Sequence, residues 1–469
     1  MLKRSYKRIH CIGAGGAGVS ALAHLLLHMG YEVTGSDLLE SEVTESLREA
    51  GATVWIGHDE RYTRKADLVV FSTAIPQDNP EIILAKDKGI PLLTRIELLS
   101  YLAAGKESVV VSGSHGKSTT TSMLATSFIY AQRDPTVVMG GVLMDGMGNA
   151  RLGKSELFLC EGDESNNSIL EFTPKVAVVT NIDRDHLDFH GSLTNLKNSF
   201  IRFINSPGPS GFSVVCYDDH NIRSILRDIS GRVVTYGFHP DAEYQAQGRA
   251  LNREGGLSFE VHHKERGPLG VVNLSYPGDH NIQNALATIA TCCSLGIDID
   301  TVTFSLENFP GVRRRYERLY QGRVHIIDDY AHHPSEIQAL LSGVREVFSG
   351  RIRVVFQPHR FTRSKSLAAQ FPRAFINADE VILAPIYSAN ESPIAGIGTD
   401  YLNRFFQRRY DNGNLLCLDD FNEITDYLCD SLMADDIILT VGAGDICNVG
   451  HALAARLRQQ DRQAAGEWT

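Results

Sequence analysis

Val109-Val110-Val111-Ser112-Gly113-Ser114-His115-Gly116-Lys117-Ser118-Thr119-Thr120-Thr121 is the stretch that decides the fold of this chain. Three consecutive valines read as a buried strand. A glycine-bounded loop follows, then Lys117-Ser118-Thr119 and the helix-like Ser122-Met123-Leu124-Ala125. A strand that turns through glycines into a helix N-terminus aims backbone N–H groups and the positive helix end at one spot, which suits a polyphosphate. In such loops the lysine reaches the β- and γ-phosphates and the following hydroxyl ligates Mg²⁺. Gly113, Ser114, His115, Gly116, Lys117, Ser118 and Thr119 are therefore candidate ATP-binding residues, with Lys117 also catalytic. The usual spacing needs a glycine at position 111, where this chain has Val111; the loop is a shortened G-x-x-G-K-S-T form. The alternative is an ordinary strand–turn–helix corner with a surface lysine.

Upstream, Arg8 to Ile12 reads as a strand, followed by Gly13-Ala14-Gly15-Gly16-Ala17-Gly18 and an apolar helix, Val19 to Met29. A second strand, Tyr31 to Gly35, ends at Ser36-Asp37. This is a dinucleotide fingerprint with an acidic residue about 20 positions on. Its glycines allow a tight turn close to a diphosphate, and Asp37 suits ribose hydroxyls. The strand Leu68 to Ser72 ends at Thr73-Ala74-Ile75-Pro76, which rims the same crevice.

Downstream, the chain repeats one theme: an apolar run with chemical residues at its C-terminal end. Leu157 to Cys160 ends at Glu161-Gly162-Asp163-Glu164-Ser165, and Val176 to Thr180 ends at Asn181-Ile182-Asp183-Arg184-Asp185-His186-Leu187-Asp188. Open parallel sheets bind ligands at such ends, so Glu161 and His186 are candidate Mg²⁺-site residues, although Mg²⁺ prefers oxygen ligands. Asp183, Asp185 and Asp188 alternatively form a solvated acidic loop. Ala242 to Val272 reads as antiparallel strands at a sheet edge. His280, Asn281 and Asn284 open a helix, either as caps or in contact with a nucleotide base. Arg313-Arg314-Arg315 is a solvated patch or a phosphate clamp. Asp328-Asp329-Tyr330-Ala331-His332-His333-Pro334 and Gln357-Pro358-His359-Arg360-Phe361-Thr362-Arg363 close two further strands, and two guanidiniums three residues apart suit capture of a carboxylate. Arg456 to Thr469 reads as a frayed polar tail.

The 469 residues, 43% hydrophobic and 22% charged with 41 glycines, fit about three domains of an ordinary globular protein. The expected fold is α/β throughout: a Rossmann-like domain over 1–105, a central P-loop ATPase-like domain with a mixed or parallel sheet over 106–310, and a doubly wound Rossmann-like domain over 311–469. A net charge of −11 leaves no broad footprint for nucleic acid. Eight cysteines without a C-x-x-C pair read as free thiols in a reducing compartment. Lys3, Arg4, Lys7 and Arg8 precede an apolar stretch, but Gly13 to Gly18 interrupts it, so an export signal is not expected. No apolar run approaches the roughly 18 residues of a membrane span. The expectation is a cytoplasmic protein with neither membrane nor nucleic acid as partner.

A diphosphate crevice, an ATP·Mg²⁺ loop and a carboxylate clamp suit ATP-driven coupling of an acid to an amine. Phosphorylation converts the poor acyl donor into an acyl phosphate, and catalysis is chiefly positioning and charge neutralisation.

Gly113 to Thr119, Asn181 to Asp188, His280-Asn281 with Asn284, Asp329 to Pro334 and His359 to Arg363 together resemble the Mur ligase family over nearly the whole chain, and most closely its alanine-adding branch. The resemblance implies ligation of L-alanine to UDP-N-acetylmuramate in bacterial peptidoglycan synthesis, by a monomer or weak homodimer. It implies that Gly13, Gly15, Gly16, Gly18, Ser36 and Asp37, with His58, Thr73 and Ala74, hold the UDP end of the sugar nucleotide rather than NAD. Ser118, Glu161 and His186 would surround Mg²⁺, and His280, Asn281 and Asn284 would lie near ATP. Tyr330, His332, Arg360 and Arg363 would receive L-alanine, with His332 as candidate base for its amine. Related ligases that add later residues carry a carbamylated lysine downstream, where this chain has Phe200, with Lys197 out of register. Ser118 stands where threonine is commoner and Ala331 where glycine is. The rivals are a recycling ligase that attaches a tripeptide, an NAD-dependent dehydrogenase, which leaves the Lys117 loop unexplained, and a nucleotide-switched binding module.

Overall fold

The computed structural model describes residues 6–389, 391–410 and 414–466. Its first sheet contains β1 (Arg8–Ile12), β2 (Glu32–Asp37), β3 (Thr53–Ile56), β4 (Leu68–Phe71) and β5 (Leu92–Thr94) in the order β3-β2-β1-β4-β5. Every pair is parallel. Helices cover both faces of such a sheet, so β4 is a continuous apolar run without alternation, and β1 is buried from Ile9 to Ile12 with His10 among its buried residues. Strand order reverses between β1 and β4, and this switch point opens a crevice beyond their C-terminal ends. The glycine turn leaves β1 there, and the helix Ala17–His28 starts within it, two residues earlier than expected.

The second sheet holds ten strands: β6 (Glu107–Ser112), β7 (Thr136–Leu143), β8 (Gly148–Arg151), β9 (Leu157–Glu161), β10 (Val176–Val179), β11 (Phe212–Cys216), β12 (Val233–Gly237), β13 (Tyr244–Leu251), β14 (Leu257–His263) and β15 (Gly267–Leu274). Their order is β15-β14-β13-β12-β11-β10-β6-β9-β7-β8. β6 runs parallel between β10 and β9, and Val109, Val110 and Val111 are at most 1% exposed. The phosphate loop therefore leaves the middle of the sheet with a strand end on each side. At one edge β8 runs antiparallel to β7. At the other, 252–256 and 264–266 are too short for parallel crossovers, so β13 to β15 form hairpins, while β13 itself joins β12 in parallel.

The third sheet comprises β16 (Glu317–Gln321), β17 (His325–Asp329), β18 (Ile352–Phe356), β19 (Glu380–Leu383), β20 (Leu415–Cys417) and β21 (Ile437–Val441), ordered β16-β17-β21-β18-β19-β20. All pairs are parallel except β16 with β17. The polar tail is a correction: Cys447–Gly466 is a helix. Val449, Leu453 and Leu457 recur at i, i+4 and i+8 and are at most 1% exposed, which gives this polar segment one apolar stripe on the sheet. Residues 467–469 of that tail lie outside the described residues, as does the side chain of Asp188.

The chain forms two compact units. One holds the chain up to Ala250 with Ser258–Asn273 and Ile282–Pro310, and carries the first two sheets; the other holds Leu251–Leu257, Leu274–Asn281 and the described residues from Gly311 onward. Among the described residues no helix is long and apolar enough to cross a membrane.

Candidate active site

The helix after the phosphate loop is Lys117–Tyr130, capped by Gly116. It starts earlier than its apolar content suggests, so Lys117, Ser118 and Thr119 form its first turn. That turn contains no acidic residue, which leaves the positive helix end unneutralised toward an anion. The end of β10 splints the loop. Ser114 N–H donates to the Asn181 carbonyl at 3.1 Å, His115 N–H donates to Asn181 Oδ1 at 2.9 Å, and Thr180 Oγ1 donates to the His115 carbonyl at 2.6 Å.

Lys117 Nζ donates to the Gly113 carbonyl at 2.6 Å and to Glu164 Oε1 at 2.9 Å. Burial pulls the ammonium's pKa down, but Glu164, Asp163 and Glu161 outweigh it and hold it above its ordinary value. Lys117 is therefore charged at neutral pH. Glu164, 1% exposed, was missed by sequence reasoning, although it lies in the acidic strand end that supplied Glu161. Its other oxygen, Oε2, has no hydrogen-bond partner among the described residues.

Of the three candidate metal residues, two meet. Ser118 Oγ lies 3.2 Å from Glu161 Oε2, and Gly140 N–H donates to Glu161 Oε1 at 2.8 Å. These are hard oxygen donors of the kind Mg²⁺ takes. His186 is turned instead toward Asp185 at 3.5 Å and Glu164 at 3.9 Å. It adopts φ +54°, a left-handed conformation that costs a non-glycine residue roughly 1–3 kcal/mol and gathers at functional sites. Phe200 is fully buried, and Lys197 reaches Ser224 at 3.0 Å, so neither brings a cation to this site. Asn284 Oδ1 accepts from Thr120 Oγ1 at 3.1 Å behind the loop. Asn281 Nδ2 donates to the Pro277 carbonyl at 2.8 Å. Burial lowers His280 to about 4, so its imidazole is neutral at pH 7.

The glycine turn of β1 and the phosphate loop share one cavity of about 360 Å³, lined by Gly16, Gly18 and Ser72 on one side and Lys117, Glu161 and Asp163 on the other. Asp37 is folded back on the turn, with Oδ2 accepting from Gly15 N–H at 2.8 Å. Ser36 and His58 belong to a buried network that the sequence did not reveal. Glu81 accepts from Ser36 Oγ at 2.9 Å, and its oxygens lie 2.8 Å from His58 Nδ1 and 2.5 Å from His10 Nε2. Burial would raise the Glu81 carboxyl, but these partners hold it below its ordinary value. Thr73 and Ala74 follow β4 at the crevice rim, where Ala74 N–H donates to Ser72 Oγ at 3.2 Å.

In the second unit, His332 Nδ1 lies 3.0 Å from the Tyr330 carbonyl and 3.4 Å from Glu336, and its ring is 5.6 Å from that of Tyr330 and 5.5 Å from that of His359. Arg363 Nη1 lies 3.0 Å from His359 Nδ1. Arg360 is exposed at φ +66°. Tyr330 and His332 follow β17, and Arg360 and Arg363 follow β18, two strands separated in the sheet by β21; the facing His332 and His359 rings bring the two ends together on one rim. Arg314, read as part of a patch or clamp, is committed elsewhere. It donates to Asp328 Oδ2 at 3.0 Å and to the Gly444 and Gly442 carbonyls at 2.7 Å each. Arg314 and Arg315 both lie over the Tyr330 ring, 5.1 and 5.0 Å from its centre.

Burial pushes the Asp329 carboxyl up to about 6, although Arg315 and the Ala331 and Tyr316 N–H groups oppose it. A folded pKa above the unfolded one means that the fold binds this proton more tightly. The stabilisation is complete below the unfolded value of about 4 and is lost as pH rises through about 6, on a scale of about 3 kcal/mol. The contribution of this group to the melting temperature is expected to fall between about pH 4 and about pH 6, and Asp329→Asn is expected to flatten that slope; an unchanged slope would remove Asp329 as its source.

Three family models account for most of the chain. The Mur ligase family catalytic domain matches residues 8–107, the Mur ligase middle domain 111–292 and the Mur ligase glutamate ligase domain 314–444. The chain belongs to the Mur ligase family. It is 41% identical to the UDP-N-acetylmuramate–L-alanine ligase of Syntrophus aciditrophicus, over 99% of this chain and 97% of that one. It is 42% identical to the enzyme of the same name from Dictyoglomus turgidum, over 97% of each. The solved UDP-N-acetylmuramate-alanine ligase of Thermotoga maritima superposes with a TM-score of 0.83 at 31% identity, covering 97% of this chain and 99% of that one. A murein peptide ligase from Psychrobacter arcticus shares the fold with a TM-score of 0.72 at 22% identity, covering 96% of this chain and 98% of that one.

Proposed function

We propose that this chain is the ATP-dependent ligase that joins L-alanine to the carboxylate of UDP-N-acetylmuramate, releasing ADP and phosphate. The observation that carries the reading is the single cavity between the β1 glycine turn and Lys117 with Glu161. A sugar nucleotide whose diphosphate lies on that turn can place its far end beside the phosphate loop. The alanine-ligase relatives at 41–42% identity favour this substrate pair over the tripeptide, and a dehydrogenase has no use for Lys117.

ATP lies along Gly113 to Thr119, where loop N–H groups and the helix end receive its phosphates. Lys117 balances charge on the γ-phosphoryl group as the acid's carboxylate oxygen attacks it. Ser118 and Glu161 are the residues that would hold Mg²⁺, which when bound supplies further charge neutralisation on the phosphates. The resulting acyl phosphate is attacked by the amine of L-alanine, whose carboxylate Arg360 and Arg363 orient. His332, backed by Glu336, stands on the same rim to take the amine's proton. Catalysis is positioning and electrostatic throughout. Eight free cysteines support a reducing, cytoplasmic setting.

The test is ADP release by the purified chain with UDP-N-acetylmuramate, then with L-alanine added, then with the tripeptide instead. Turnover is expected to require both the sugar nucleotide and L-alanine. Equal rates without any amino acid would sink the ligase reading, and tripeptide-dependent turnover would replace it with the recycling one.

A further inference from the structure

Arg95 opens the helix Arg95–Ala103, whose first turn is fixed by the Thr94 cap and its reciprocal bond with Glu97. Its guanidinium crosses the first turn of the helix Ala17–His28. A Cβ on Gly18 would lie 2.6 to 2.9 Å from Arg95 Cδ, Nε and Nη1, so glycine at 18 makes room for this side chain. Nη2 then donates to Asp163 Oδ2 at 3.2 Å, leaving the Arg95 side chain 25% exposed. Arg95 and Lys117 both line the cavity that joins the glycine turn to the phosphate loop, where they face Glu161 and Asp163.

These charges balance before any ligand enters. Lys117 is already committed to Glu164 and a loop carbonyl. An acid carboxylate brought against the γ-phosphate of ATP meets a repulsion, and among the described residues lining the cavity Lys117 is the one cationic side chain besides Arg95. Arg95 has several donors, only one of which Asp163 uses, and a fixed fork geometry suited to carboxylates. It approaches from the side of the sugar-nucleotide turn, opposite the ATP loop.

We propose that Arg95 is a catalytic residue that holds the acid substrate's carboxylate in line with the γ-phosphate, an inference that rests on the ligase reading above. In the step it assists, a carboxylate oxygen bonds to the γ-phosphorus while the bond from that phosphorus to the bridging oxygen of ADP breaks. The electron pair leaves with ADP and no proton moves. The rival role is a structural tie to Asp163, which sits beyond the second sheet.

The experiment compares wild type, Arg95→Ala and Arg95→Lys by ADP release and thermal melting, with guanidinium chloride added at low millimolar concentration. Arg95→Ala is expected to lower kcat about 10²–10³-fold, the cost of one donor removed from a developing charge, while the KM for ATP moves less than threefold. Guanidinium is expected to restore at least tenfold, because the vacated cavity admits it. Arg95→Lys, which keeps the charge without the fork, is expected to remain folded and lose at least tenfold. An unchanged kcat in Arg95→Lys overturns the proposal. So does a loss in Arg95→Ala that guanidinium fails to rescue and that comes with an equal rise in the KM for ATP. If the wild type itself shows no dependence on the acid, the ligase reading has failed instead.

Discussion

Lys117→Met lowers the rate of alanine-dependent ADP release roughly 10³-fold, the upper cost of one charged donor lost from a water-poor phosphoryl site. Methionine keeps the length and apolar stem of lysine, so the effect is one of charge. The same change also strips Glu164 of its partner. A carboxylate 1% exposed left without its cation is expected to cost about 3–5 kcal/mol, and a poorly folded variant would imitate a catalytic defect. Adding Glu164→Gln separates the two effects, since the double variant buries neither charge. The double variant is expected to melt within a few degrees of wild type and to stay about 10³-fold slow. Recovery of rate together with stability would reduce Lys117 to a structural cation.

Chemistry that follows a strand in sequence was legible from the residues. Glu161 closes β9, Asn181 follows β10 and Gly113 follows β6, and apolar runs ending in polar clusters announced all three. Parallel pairing of β6 with β9 and β10 then brings those ends together without further information. Partnerships spanning separate segments were not legible. Lys117 with Glu164, Arg95 with Asp163 and Ser36 with Glu81 are joined only by the fold; Lys117 and Ser36 were legible as candidate site residues, but nothing in the sequence named their partners. Arg314 misled for the opposite reason. A run of three arginines looks like a solvated patch, but its φ of +60° turns the side chain inward onto Asp328 and two carbonyls. The helical character of the tail from Arg456 was missed because, of the buried stripe Val449, Leu453 and Leu457, only Leu457 falls within that mostly polar tail.

The shortened loop makes Gly113→Ala the most damaging conservative change in the site. Gly113 sits at φ +134°, which a side chain rarely adopts, and its missing Cβ would lie 2.1 Å from Thr180 Oγ1 and about 3 Å from the Thr180 and Asn181 backbone nitrogens. A hydroxyl can rotate away, but the β10 backbone is held by its pairing with β6 and cannot yield as cheaply. The loop must therefore move, and it carries the carbonyl that fixes Lys117 Nζ and the bonds from Ser114 and His115 to Asn181. A displacement of about 1 Å at a phosphoryl-transfer site costs about 10²-fold, and here the strained φ adds about 1–3 kcal/mol to the cost of folding. The expected result is kcat/KM for ATP reduced at least a hundredfold, with a lower melting temperature that saturating ATP does not restore. A variant that binds and turns over ATP normally would show that the loop tolerates a wider path, and that glycine at 113 is not what the short form requires.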